Sequence, residues 1–142
     1  MNGVNLLLSF TTIQFVMPKT VVKTTAAPAP IGPYNQAIMA GGFLFISGQV
    51  AIDPVTGELI LTSIEAETNL VMNNLKAILE VAGYDFSHVV KTTIFLGDMG
   101  LFAAVNEVYG KYFTTDFPAR ETVQVAALPK FVNVEISMIA VR

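Results

Sequence analysis

The stretch Val132-Asn133-Val134-Glu135-Ile136-Ser137-Met138-Ile139-Ala140-Val141 decides the fold. Its β-branched content and period-two alternation mark a strand. Val134, Ile136, Met138 and Ala140 share one side; Asn133, Glu135, Ser137, Ile139 and Val141 share the other. The first side is wholly apolar and calls for a packed core. The second begins polar and ends apolar, which is not the pattern of a face left to water. The strand therefore belongs to a sheet covered on both faces, by helices on one and by a partner subunit on the other.

Working outward, residues 121–126 form the preceding strand, joined to the last by Ala127-Leu128-Pro129-Lys130. Residues 89–96 read as another strand, and Asp98 as the cap of a helix whose apolar side is Leu101, Phe102, Val105, Val108, Tyr109 and Tyr112. An earlier helix opens on Thr62-Ser63-Ile64-Glu65, which has capping-box form with Thr62 as N-cap. It carries Ile64, Val71, Leu75, Ile78, Leu79 and Ala82 along one stripe and stops at Gly83. Before it lie a β-prone run at 20–24, a proline-rich turn through Tyr34, and a hairpin of 37–39 and 43–49 around Gly41-Gly42. The order β-β-β-α-β-α-β-β is an α+β arrangement with two helices on one face of a sheet.

Composition narrows the function. The 142 residues suit one domain, with hydrophobic residues at 53% and charged residues at only 13%. Ordinary soluble domains carry roughly 25% charged residues, so part of the apolar surface is expected between subunits. Net charge is −3 and no basic run occurs, which argues against nucleic-acid binding. No cysteine is present, which excludes disulfides, thiolate catalysis and Cys-based zinc sites. The single histidine, His88, cannot build a His-rich metal site. Residues 1–17 read as an extension preceding a domain at 18–142; the apolar run in it is too short to span a bilayer and follows no Lys or Arg. A cytoplasmic setting without membrane contact is expected.

Arg120 is one of two arginines, the other being the C-terminal Arg142. A guanidinium at the mouth of an apolar strand invites a carboxylate, which its planar fork matches. Arg120, Thr122 and Gln124 alternate onto one face of their strand. Glu135 interrupts an apolar strand, where a carboxylate is costly unless paired or functional. If the last two strands pair, Glu135 approaches Arg120 or Thr122. That yields either an anion site beside a water-orienting carboxylate or a plain structural ion pair. Tyr34 lies in a loop and Ser47-Gly48 closes an apolar run, where the glycine allows close backbone approach. Ser47 has no evident base for a hydrolase triad and reads as a hydrogen-bonding hydroxyl. Asn106 is a polar residue beside the second helix's apolar stripe. No phosphate loop, dinucleotide fingerprint or metal motif is present.

Seven fragments in order carry a family resemblance: residues 29–37, Phe45-Ile46-Ser47-Gly48-Gln49, Asp53-Pro54-Val55-Thr56-Gly57-Glu58, 74–79, 90–96, Phe117-Pro118-Ala119-Arg120 and Val134-Glu135-Ile136. Over about residues 18–142 the chain resembles the RidA (YjgF) family of reactive intermediate/imine deaminases, once called L-PSP endoribonucleases. The resemblance implies a chorismate-mutase-like α+β fold and a homotrimer with clefts between subunits. It implies cofactor-free, metal-free hydrolysis of 2-enamine and 2-imine carboxylates to 2-keto acids and ammonia. Arg120 would bind the substrate carboxylate and Glu135 would orient water, with Tyr34, Ser47, Gly48, Asn106 and Thr122 shaping the cleft. Thr122 stands where the family often has cysteine, the loop before Phe117 is short, and the extension 1–17 has no counterpart in shorter members. Two other readings are a non-enzymatic keto-acid binding module and an endoribonuclease or translation inhibitor.

Overall fold

The computed structural model describes residues 17–142, so the expected extension lies, Met17 apart, outside the described residues. The elements follow the expected order: β1 (Lys19–Val22), β2 (Ala37–Ala40), β3 (Phe43–Gln49), α1 (Ile64–Val81), β4 (Val89–Leu96), α2 (Phe102–Gly110), β5 (Ala119–Gln124) and β6 (Val134–Val141). Short 3-10 turns occupy Phe86–His88, Met99–Leu101 and Pro129–Phe131. Gly41 and Gly42, at φ 58° and 80°, make the two-residue turn between β2 and β3. Both positions need positive φ there, which glycine adopts without strain.

The strands form one sheet in the order β1-β2-β3-β6-β4-β5. Strand β6 is central, antiparallel to β3 on one edge and to β4 on the other. The expected pairing of the last two strands does not occur. Instead β5 lies parallel to β4, because residues 97–118, α2 among them, are long enough for the crossover a parallel pair requires. Both edges of β6 are already taken.

Both helices cover one face. Val71, Leu75, Ile78 and Leu79 of α1 are fully buried, as are Val134, Ile136 and Ala140 of β6. Each of these Val, Leu and Ile side chains contributes about 1.5–3 kcal/mol by leaving water. Two capping expectations shift. The N-cap of α1 is Ser63 rather than Thr62, its hydroxyl accepting from Ala66 N at 3.1 Å. Asp98 caps the 3-10 turn at Met99–Leu101, and α2 itself begins without a side-chain cap.

The opposite face is open in the single chain. Val21, Ile38, Phe45 and Ile139 lie in one cross-strand row, with Phe43 and Val141 in the next. Val21, Phe43 and Phe45 are 43–49% exposed, a contiguous apolar surface of the kind that marks an interface. Towards β5 the same face turns polar: Lys91 and Thr93 both bind the Glu121 carboxylate.

Candidate active site

Two clefts hold the chemistry, and they open on different faces of the sheet. The first begins with an irregularity in β3. Ile46 pairs with Met138 but Gln49 pairs with Ile136, so β3 carries one extra residue at Ser47-Gly48. This β-bulge breaks the ladder and turns Ser47 and Gly48 towards a cleft. The Ser47 hydroxyl donates to Asn35 O at 2.6 Å and its amide to Gln36 O at 3.0 Å. Its hydroxyl and amide both tie β3 to the loop before β2.

Gln36 does more of this anchoring. Its buried side-chain amide accepts from Thr24 N and donates to Thr24 O, Ala27 O and Pro28 O. These bonds shape the proline-rich loop carrying Tyr34, whose hydroxyl accepts from Ile31 N at 3.3 Å. The cleft has a volume of about 370 Å³, and its walls include Ile31, Tyr34, Ser47, Gly48, Pro129 and Glu135.

Glu135 is the charged group of this cleft, and it packs directly on Gly48. A Cβ at position 48 would fall 2.7 Å from the Glu135 Cδ and 2.9 Å from its Cγ. Only glycine leaves the Glu135 carboxyl in this seat; any Cβ would push it aside. Half-burial pushes the Glu135 carboxyl above the usual carboxylate range. Among the described residues no cation lies within ion-pair distance of it. A carboxyl shifted this way holds a proton more readily than an ordinary glutamate, which suits it to proton transfer.

The second cleft is lined by Asn106, Tyr109, Gly110, Phe117, Pro118 and Arg120. The Arg120 guanidinium carbon sits 4.9 Å from the Tyr109 ring centroid and 5.8 Å from that of Phe102. The two rings hold it by cation–π attraction and leave its donors free. Burial pushes the Tyr109 phenol up, so it stays protonated and donates to Thr92 Oγ1 at 3.1 Å. Among the described residues no carboxylate pairs with Arg120. The arrangement is a guanidinium fixed between two rings, with a planar fork of the shape that matches a carboxylate.

The fold thus gathers Tyr34, Ser47, Gly48 and Glu135 in one place, and Arg120 with Asn106 in another. It does not bring Arg120 to Glu135. Arg120 shares a row with Thr92 and Met138 on the helix-covered face, whereas Glu135 shares one with Phe95 and Val123 on the open face. The rows are three residues apart, roughly 10 Å along the strands, with β4 between. A structural Arg120–Glu135 pair within one chain is excluded. Thr122 lines neither cleft; its buried hydroxyl, in a row with Ile94 and Ile136, has no partner among the described residues.

Gln36, Tyr109 and Phe102 went unrecognised in the sequence as site residues. The aromatic pair read as helix core, and only the tertiary position of Arg120 reveals their second use. Among the described residues no group of three or more His, Asp or Glu could hold a metal ion, and no helix is long and apolar enough to cross a membrane.

The sequence profile of the family described as Endoribonuclease L-PSP matches residues 24–142. A RutC family protein of Pyrococcus horikoshii is 54% identical over 122 residues, covering 86% of this chain and 97% of that protein. The 2-iminobutanoate/2-iminopropanoate deaminase of Mus musculus is 48% identical over 124 residues, covering 87% and 92%. The crystal structure of RidA from a Psychrobacter species superposes with a TM-score of 0.84 at 42% identity, covering 87% of this chain and 99% of that one. Profile, identity and fold agree over the body that carries both clefts: the chain belongs to the Endoribonuclease L-PSP family, the RidA family that its motifs resemble.

Proposed function

We propose that the protein hydrolyses 2-imino acids, and the 2-enamino acids that tautomerise to them, to 2-keto acids and ammonia. The observation that carries this reading is the pair of incomplete half-sites: a guanidinium without an anion and a half-buried carboxylate without a cation, on opposite faces of one sheet. A second copy supplying the other half completes the site, and a homotrimer built on the open apolar face does this three times over. The deaminase relative of Mus musculus supports the reaction class.

The chemistry follows from the groups present. Arg120 binds the substrate carboxylate through its fork and sets the adjacent imine carbon in place. Glu135 holds a water and takes its proton as the oxygen attacks that carbon. A C–O bond forms and the imine nitrogen is protonated, giving a tetrahedral carbinolamine. Transfer of the hydroxyl proton to the amino nitrogen, carried by Glu135, and cleavage of the C–N bond then release ammonia and leave the 2-keto acid. Positioning supplies much of the rate, because the substrate is already labile. A pure keto-acid binder has no use for a carboxylate beside the bound anion, and the absence of a basic run disfavours ribonuclease action.

The test generates imines in situ with an amino-acid oxidase and follows keto-acid formation with and without the protein. Arg120→Ala should leave the trimer intact. Losing one partner of a desolvated charge contact costs about 2–5 kcal/mol, a roughly thirty- to several-thousand-fold fall in kcat/KM. Turnover at the wild-type rate in that variant would remove Arg120 from the mechanism.

A further inference from the structure

Glu67 is a fully buried carboxylate on α1 that lines neither cleft and lies outside the mechanism above. Among the described residues it has no cation partner. Its oxygens are instead spent on the start of β6. Oε1 accepts from Asn133 N at 2.7 Å and from Val134 N at 3.3 Å, and Oε2 accepts from Asn133 Nδ2 at 2.8 Å. A carboxylate is tolerated in a core only when hydrogen bonds replace its water, and here all of them go to the two residues before Glu135.

The segment just upstream explains why so strong a clamp is placed there. Lys130 and Phe131 are consecutive left-handed residues, at φ 56° and 55°. Phe131 is 86% exposed, so burial of its ring does not hold the turn. Strained non-glycine backbone persists only where its surroundings over-determine it, and such strain gathers at functional sites. The turn is fixed at one end by Pro129, whose ring restricts its own φ and which lines the Glu135 cleft. Its other end is fixed by Glu67.

We infer that Glu67 is a positioning residue: from the helix-covered side it locks the start of β6, and through β6 it sets the Glu135 carboxylate and the Pro129 wall on the far side. The inference rests on the reading of Glu135 as the water-orienting group. Loss of the clamp lets the turn relax and the first residues of β6 shift. Displacements of about 1 Å can cost on the order of a hundredfold in rate.

The experiment uses the full chain and three variants. Glu67→Met keeps the volume but leaves both backbone amides without acceptors. Glu67→Gln preserves the bonding, because its oxygen can serve the amides while its nitrogen donates to a flipped Asn133 side chain. Asn133→Ala removes one bond of the set and serves if Glu67→Met does not fold. Each is assayed well below its Tm for kcat and KM, and the Glu135 carboxyl is titrated by 13C NMR. Glu67→Met should lower kcat about tenfold to a hundredfold with KM little changed, and should move the Glu135 midpoint down towards the ordinary carboxylate value. Glu67→Gln should restore both, and Asn133→Ala should move them the same way but less. A lowered Tm with wild-type kcat and an unmoved Glu135 titration would reduce Glu67 to a structural residue. If the wild type turns over no imine while the Glu135 titration still moves in Glu67→Met and returns in Glu67→Gln, the positioning role stands and the deaminase reading falls.

Discussion

Gly48→Ala isolates the contact on which the Glu135 half-site is built. Gly48 needs no positive φ, so alanine is compatible with its backbone and the whole effect is steric. The added methyl would lie 2.7 Å from Glu135 Cδ and 2.9 Å from Cγ, against van der Waals carbon separations of about 3.5–4.0 Å. The Glu135 side chain must therefore retreat by roughly 0.8 Å or more. It is a flexible side chain in an open cleft, so the stability cost should fall at or below the low end of the usual overpacking penalty of about 1–3 kcal/mol. The catalytic cost should be larger, because a misplacement of this size displaces the water by a comparable distance; kcat should fall about tenfold to a hundredfold. KM should change little, since the substrate carboxylate is held by Arg120 of a second copy and not by Glu135. Gly57→Ala is the matched control. Its site has no atom within 4 Å of the added Cβ but a φ of 76°, so it should cost about 1 kcal/mol of stability and no activity. The assay is keto-acid formation from oxidase-generated imines, with Tm measured on the same samples. Wild-type kcat in Gly48→Ala, or equal losses in the two variants, would refute the argument that Glu135 acts from its seat on Gly48.

Three further outcomes are expected. Tyr109→Leu should remove the larger cation–π support of Arg120, worth about 0.5–2 kcal/mol, and raise KM roughly twofold to thirtyfold, whereas Tyr109→Phe should keep most of it; steady-state kinetics of the pair decides. The acid limb of kcat/KM should lie above the ordinary glutamate range, because burial raises the Glu135 carboxyl and the water needs its ionised form. The same shift makes native Glu135 hold its proton more tightly than the unfolded chain does. Its contribution to stability is therefore full below the unfolded value and declines as pH rises through the folded one; urea titrations should show Glu135→Gln inactive yet no less stable at neutral pH. Phe45→Glu puts a charge in the exposed apolar row of the open face and should dissociate the proposed trimer, read by sedimentation, with activity lost although both half-sites remain chemically intact.

The amino-acid order by itself determined the elements and the sidedness of β6. Alternation and turn residues are local properties, and local rules place the β2–β3 hairpin, α1 and β4 within a residue or two of where they fold, while α2 starts three residues later than its expected cap at Asp98 implies. Glu135 and Arg120 stood out for the same reason: each is a charge where its strand's pattern predicts none. Gly48, Tyr34 and Ser47 were legible as close-approach and loop residues. Glu67 also broke a pattern, since it falls on the stripe of Ile64, Val71 and Leu75, but a carboxylate on a helix gives no sign of which distant amides it will meet.

Only the tertiary structure decided how the strands are ordered, and this changed the meaning of the site. Adjacency in sequence favoured pairing β5 with β6, which would have put Arg120 beside Glu135. The crossover through α2 instead sets β5 parallel to β4 and leaves β6 in the centre of the sheet. The β3 bulge, the ring stack beneath Arg120 and the clamp from Glu67 arise from contacts between residues far apart in the chain. Periodicity records which face a residue takes within its own strand. It holds no information on which strand lies alongside, because that depends on the summed packing of helices and sheet, and here that packing puts the two charged groups on opposite faces.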